Sequence, residues 1–185
     1  VYSLPHPIQP KMPIINAAGS EEGRVFAMRN ADFLFTPVFD FDQAKATVTD
    51  ITERASSVNR KVDVLTLCTV VCRPTQQEAE DYLHWYADEQ ADWGAVDNLM
   101  TLQGMHAQSF TPEALALYRD RMAAGHGGFP LVGTPDTIAD LLEKLSETGV
   151  AGTTLAFVDY AKEFPYFRQE VLPRLEAKGL RQPAN

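Results

Sequence analysis

The chain has 185 residues, 45% hydrophobic and 22% charged, an ordinary globular mixture with room for one sizeable core. Its net charge of −9, with basic residues scattered along the chain, argues against a nucleic-acid partner. No apolar run approaches the roughly 20 residues that span a bilayer, and no signal peptide is visible, so neither membrane insertion nor export is expected and the reading is cytoplasmic.

The opening, Val1–Pro13, carries four prolines and reads as an extended connector rather than helix or central strand. We expect it to lead into the chain from a larger whole. Pro13–Ala18 is a short strand ending in a Gly/Ser turn, followed by a helix from about Glu21 to Asn30. Ala31–Pro37 is a second apolar run, stopped by proline. Asp40 and Gln43 have capping-box spacing. The helix they open has apolar positions Phe41, Ala44, Val48, Ile51, Ala55 and Val58, the spacing of an amphipathic helix. Val62–Cys72 is a third, buried strand. Its two cysteines, Cys68 and Cys72, point the same way but sit ~13 Å apart on a strand, beyond disulfide reach. They read as small buried side chains, compatible with a reducing compartment.

Thr75 and Glu78 form a second capping box, opening a helix that carries Tyr82, Trp85, Tyr86 and Trp93. That aromatic spacing reads as core or subunit contact. Thr111-Pro112 and Thr134-Pro135 each place a cap before a first-turn proline. The second of these helices buries Ile138, Leu141, Leu142 and Leu145 and ends at Gly149. Residues 95–129 show no strand signal and read as a helical and loop insertion before the last strand. Ala151–Phe157 is a fourth strand, and Glu163–Gly179 a last helix broken near Pro173. Strands alternating with helices imply parallel βα units covered on both faces. Four such units are half of an eight-stranded barrel; the alternative is a small open doubly wound sheet.

The best local chemical signal is Asn16–Arg24. A strand ends, Gly19 permits close approach, and Ser20 caps a new helix whose free N–H groups attract phosphate. The same shape also serves as a plain cap. Glu21 and Glu22 must face solvent if a dianion binds there, and Arg24 is placed either for phosphate or for Glu21. Gly125-His126-Gly127-Gly128 is a mobile or sharply turned loop in which His126 is either an exposed histidine or an acid/base or ligand-contacting group. His106, within Gly104–Gln108, is a candidate pocket-lining residue. His6 and His84 are isolated, His84 reading as surface or interface. No spacing matches a metal site, a nucleophile elbow, a Walker loop or a dinucleotide fingerprint.

Pro13–Ala27 with Ala31-Asp32 resembles the signature of luciferase-like monooxygenases. Pro130–Asp140 is similar to that family's late loop and the helix between its seventh and eighth strands. Gly149–Tyr160 and Val171–Leu175 resemble its last strand and closing helix. The resemblance is to the branch with pyrimidine, alkanesulfonate and dimethylsulfone monooxygenases. It implies an α/β fold, the C-terminal half (about strands five to eight) of a luciferase-like (β/α)8 TIM barrel, forming a single unit over residues 1–185.

The resemblance further implies a two-component monooxygenase that uses reduced FMN and O2 on a small organic substrate. A separate NAD(P)H:flavin reductase would supply the flavin. Cofactor-binding residues carried over are Ala18, Gly19, Ser20, Gly23 and Arg24, with Gly19 standing where many relatives have serine or glutamine. Most substrate-binding and catalytic residues would come from the N-terminal half of the barrel, a partner of this half, and a homo-oligomer is expected. A deazaflavin-dependent oxidoreductase of the same fold and a non-catalytic flavin-binding half-barrel are the alternatives.

Overall fold

The computed structural model describes Ile8 and residues 11–104 and 111–183. Four βα steps follow the expected order. Strand β1 (Ile15–Ala17) leads to α1 (Glu21–Asn30), and β2 (Phe33–Phe35) to α2 (Phe41–Ser56). β3 (Asp63–Cys72) is followed by α3 (Gln76–His84), a π-helix (Trp85–Glu89), α4 (Trp93–Leu102) and α5 (Pro112–Gly125). Then come β4 (Phe129–Gly133), α6 (Pro135–Glu147), β5 (Gly152–Ala156) and α7 (Tyr160–Ala177).

Every strand pairing is parallel. β1 pairs β2, and β2 pairs β3 at Asp63–Leu65. β5 pairs β3 at Leu65–Thr69 and β4 pairs it at Cys68–Cys72. A strand has only two edges, and β5 overlaps the registers of both β2 and β4. So β2 and β4 lie in succession along one edge of β3, and β5 lies along the other.

Side chains alternate across the sheet. Val64, Thr66, Cys68, Val70 and Cys72 are all buried. Cys68, Val70 and Cys72 share a core with Leu131, Ile138, Phe157, Phe167 and Val171 of β4, α6, α7 and the turn before α7. A second cluster joins Leu34 and Val64 to Ala27, Met28, Ile51 and Ala55 of α1 and α2. One face of the sheet therefore meets the helix layer. The opposite face carries Ile15, Phe33 and Phe35, and there Ile15 is 58% exposed.

Both proline-led helices begin where expected, with Thr111 and Thr134 as caps. The Thr75–Glu78 capping box is complete: Thr75 Oγ1 accepts the Glu78 N–H (3.2 Å) and Glu78 accepts the Thr75 N–H (3.0 Å).

Four expectations need correction. At the second helix, Asp40 caps Gln43, but the Gln43 side chain accepts from the Phe39 N–H (2.9 Å) rather than closing a box on Asp40. The aromatic helix is not continuous. It widens into the π-helix after His84, and Trp93 begins a separate helix. The strands number five among the described residues, because Phe129 opens β4 instead of closing the strandless stretch. Proline at its second position is tolerable because β4 is paired on one side only. Finally, α7 starts at Tyr160, capped by Asp159, and runs unbroken through Pro165 and Pro173. Both prolines are exposed, where water can satisfy the freed carbonyls, while Phe167, Val171 and Leu175 hold the buried stripe.

Cys68 and Cys72 are free and buried, and burial pushes both thiols up to about 11 from 9.0. A thiol kept protonated by folding contributes full stability below its unfolded pKa. That contribution declines as the pH rises from 9.0 towards about 11, where the unfolded chain ionises and the folded one does not. We expect both cysteines to resist iodoacetamide at pH 8 in the native protein and to react in denaturant; equal rates in both states would contradict this burial. Phe167 is fully buried and packs edge-on against Phe157 at 5.5 Å. Phe167→Ala should therefore cost about 3–5 kcal/mol in urea unfolding.

Candidate functional site: the C-terminal rim of the sheet

Because all strands are parallel, their C-terminal ends emerge on one side, the side on which βα-barrel sites are built. At the end of β1, Ala18 is buried and Gly19 and Ser20 are exposed. Ser20 has extended backbone geometry, and its Oγ accepts the Gly23 N–H at 3.1 Å. Of the first four N–H groups of α1, this cap satisfies that of Gly23. Those of Ser20, Glu21 and Glu22 remain without a partner inside the helix. Together with the helix dipole they make a mouth suited to an anion.

The two glycines of the loop differ in kind. A Cβ on Gly23 would lie 2.8 Å from the Ala18 Cβ and 3.3 Å from Ser20 Oγ, so the turn closes tightly only around glycine. A Cβ on Gly19 would meet nothing within 4 Å. Folding of this chain does not need glycine at 19; that side of the loop is open to an approaching group.

The acidic residues beside the mouth are turned aside. Glu21 is bonded by the Arg54 guanidinium of α2, whose Nη1 lies 3.3 Å from Oε2. The bond from Arg54 holds the Glu21 carboxyl below its usual range. An exposed pair like this contributes little to stability; its consequence is placement. Glu22 is exposed. Of the two partners open to Arg24, Glu21 is taken by Arg54. Arg24 Nε and Asn16 Oδ1 are buried without hydrogen-bond partners, two orphaned polar atoms flanking the turn.

Asp32 has a structural task. Its carboxylate accepts from Lys11 Nζ (2.5 Å) and from the Ile14 N–H (2.9 Å), tying down the start of β1, and these bonds hold its pKa below the usual value.

His126 is exposed and forms the left-handed C-cap of α5 (φ 56°). The loop is sharply turned: a Cβ on Gly128 would come within 2.6 Å of Thr69 Oγ1. His84 is exposed and bridged to Asp88 (3.0 Å) and Glu89 (3.4 Å). His106 and His6 lie outside the described residues.

Sequence reasoning missed two features of the rim. Arg73, just after β3, donates to Glu163 Oε1 (2.5 Å) and stacks over Tyr82 at 3.9 Å. Glu163 Oε2 accepts the Val158 and Asp159 N–H groups, so both oxygens are engaged and the pair latches the β5–α7 turn to β3. The second is a cavity of about 560 Å³ between the face of β3 and β4 opposite the core and the α3–π-helix–α5 cover. Tyr86 donates to the Ala124 carbonyl (2.9 Å) and Arg121 to that of Phe39 (2.7 Å), which hold this cover in place. Neither had a legible signal, for Pro130 masks even β4, whose Phe129, Leu131 and Gly133 are buried in the fold.

The fold is that of half a luciferase-type βα barrel. The crystal structure of DmoA from Hyphomicrobium sulfonivorans superposes with a TM-score of 0.77 at 24% identity, covering 92% of this chain and 42% of that one. The crystal structure of the long-chain alkane monooxygenase LadA gives 0.72 at 25% identity, with the same coverage. Residues 1–152 match the family described as luciferase-like monooxygenase, and the chain belongs to that family.

Among curated relatives, the FMNH2-dependent dimethylsulfone monooxygenase of Pseudomonas fluorescens (strain Pf0-1) is 32% identical over 189 residues, 96% of this chain and 51% of that protein. The dimethyl-sulfide monooxygenase of Hyphomicrobium sulfonivorans is 28% identical, over 98% of this chain and 44% of that protein. The chain thus spans about half the length of the curated relatives it matches.

Gly23→Ala should strain the turn between Ala18 and Ser20 and destabilise the protein by about 1–3 kcal/mol. Gly19→Ala, with open space around it, should leave thermal stability nearly unchanged. Equal losses for the two variants in a melting experiment would contradict the geometry.

Proposed function

We propose that this chain supplies the FMN-phosphate end of a two-component monooxygenase, which uses reduced FMN and O2 to oxygenate a small organic substrate. The observation that carries the reading is the α1 mouth at the β1 rim. It combines unpaired N–H groups, a serine cap, a glycine with open space beside it and a carboxylate drawn away by Arg54. A phosphate fits that donor set, and family membership makes it the phosphate of FMN rather than of another ligand.

In this reading the N–H groups of Ser20, Glu21 and Glu22 hold the dianion and the Ser20 hydroxyl donates to it. Ala18 and Gly23 fix the turn, Gly19 allows close approach, and Arg24 adds charge from the side. Reduced FMN, when bound, supplies the activation of O2 and the oxygen transfer. What the residues here contribute is orientation and exclusion of water, with the α3–α5 cover closing the rim over β3. No side chain among the described residues is assigned as an acid or base.

FMN is favoured over deazaflavin because the relative at 32% identity is FMNH2-dependent. The first half of the barrel would cover the open face that carries Ile15, Phe33 and Phe35. Among the described strands β1 and β5 each have a single partner, and such edges invite pairing with that half and with further copies. Two reduced, buried cysteines fit a cytoplasmic setting, alongside a separate NAD(P)H:flavin reductase.

Ser20→Ala removes one hydrogen bond to a charged group, about 1.5–3 kcal/mol, so FMN affinity should fall about 10- to 150-fold. Riboflavin lacks the phosphate, and its affinity should barely change. Equal losses for FMN and riboflavin in fluorescence titrations would reduce Ser20 to a helix cap.

Turnover should require an added flavin reductase with free FMN, and chemically reduced FMN should replace the reductase. Substrate-linked NADH oxidation by the purified protein alone would overturn the two-component assignment.

A further inference from the structure

The N–H groups of Ser20, Glu21 and Glu22 have no partner inside α1, and they attract any anion close to them. The nearest anions belong to the helix itself, because Glu21 and Glu22 are its first two residues. A carboxylate at either position is drawn towards the same electropositive end that a phosphate would occupy. The mouth therefore carries its own competitors.

The two glutamates are handled differently. Both oxygens of Glu21 are bonded by Arg54, Nη2 to Oε1 and Nη1 to Oε2, the latter at 3.3 Å. Arg54 is steadied from its own helix, where Nη1 also bonds Asp50 Oδ2 at 3.2 Å. Its reach is set by packing. Ile51 and Ala55, on either side of it in α2, share a buried cluster with Ala27 and Met28 of α1. Glu22, by contrast, is exposed and has no ion-pair partner among the described residues.

The balance of charge at the turn gives this difference its consequence. Arg24 brings one cation, and its Nε is buried without a partner. Two carboxylates stand against it, and Arg54 neutralises one of them. At an exposed site the Arg54–Glu21 pair adds little to folding, so its effect falls on what the mouth can bind.

We propose that Arg54 is a positioning residue for flavin binding. It holds the Glu21 carboxylate off the N–H groups of α1, and so sets the preference of the mouth for a phosphorylated flavin over an uncharged one. Glu22, unrestrained, lowers the affinity by the same factor whatever stands at position 54. The identity of the ligand rests on the FMN-phosphate reading; the coupling between residues 21 and 54 is a property of the helix pair.

The test is fluorescence titration of the purified protein with FMN and with riboflavin, at low and at high salt. Arg54→Gln frees Glu21, and FMN affinity should fall about tenfold, the size of a carboxylate–dianion repulsion across several ångströms of water. Riboflavin affinity should stay within about twofold. In about 1 M salt, where screening acts within ~3 Å, most of the loss should vanish. Arg54→Lys, which keeps the charge, should retain most of the affinity, and melting curves of all variants should nearly coincide. Adding Glu21→Gln to Arg54→Gln should restore FMN binding, whereas Glu22→Gln should tighten it by the same factor with or without Arg54→Gln. If the Glu21→Gln, Arg54→Gln double variant binds FMN as poorly as Arg54→Gln alone, Arg54 touches the phosphate itself and the proposal fails. It fails too if Arg54→Gln leaves FMN affinity unchanged. If the unaltered protein binds FMN no more tightly than riboflavin, the phosphate reading falls and takes the proposal with it.

Discussion

The structure depends on β3. This one strand, Asp63–Cys72, takes β5 along one edge and β2 followed by β4 along the other. One set of its side chains fills the helix-facing core, and Thr69 and Val71 of the other set form part of the cavity wall. Its small and β-branched residues suit both tasks, because helices and glycine turns can come close to them. The sharpest case is Thr69. Its hydroxyl donates to the Gly125 carbonyl at 3.1 Å, and a Cβ on Gly125 or Gly128 would collide with it. That contact sets the α5–β4 turn against the sheet and so fixes the height of the cavity.

Parallel pairing then brings two chemically different surfaces to one rim. The end of β1 presents backbone N–H groups at a helix mouth. Peptide dipoles make that mouth electropositive, with Arg24 beside the turn and the nearby Glu21 bonded by Arg54. The β3–β4 ribbon presents hydrocarbon under a helical cover rimmed by carboxylates. The first surface favours an anion and the second an apolar group, so the two differ in the chemistry they can accept. The latch of Arg73 on Glu163 and Tyr82 joins α7 to the cover, so rim and cover form one mechanical unit.

Much of this was legible in the chain. Local rules with short reach settled the helix starts at Ser20, Thr75, Thr111 and Thr134, because a cap depends on residues within three positions. The apolar runs around Leu34 and Val64–Cys72 identified buried parallel strands, that around Leu155 a half-buried one, and the order of elements with the Asn16–Arg24 turn pointed to the family. What the sequence could not decide was long-range. Proline at 130 hid β4, which is stable because β3 offers it an edge. Prolines at 165 and 173 argued for a break that burial of Phe167, Val171 and Leu175 overrides. The partner of Glu21 lies 33 positions away at Arg54, and Gln43 turned to Phe39 instead of closing its box. The cavity joins residues from Thr69 to Val132 through contacts that exist only once α3–α5 fold over the sheet. Caps and strand runs are fixed by neighbours along the chain; ion pairs, edge pairing and cavities are fixed by neighbours in space, and for these the fold had to form first.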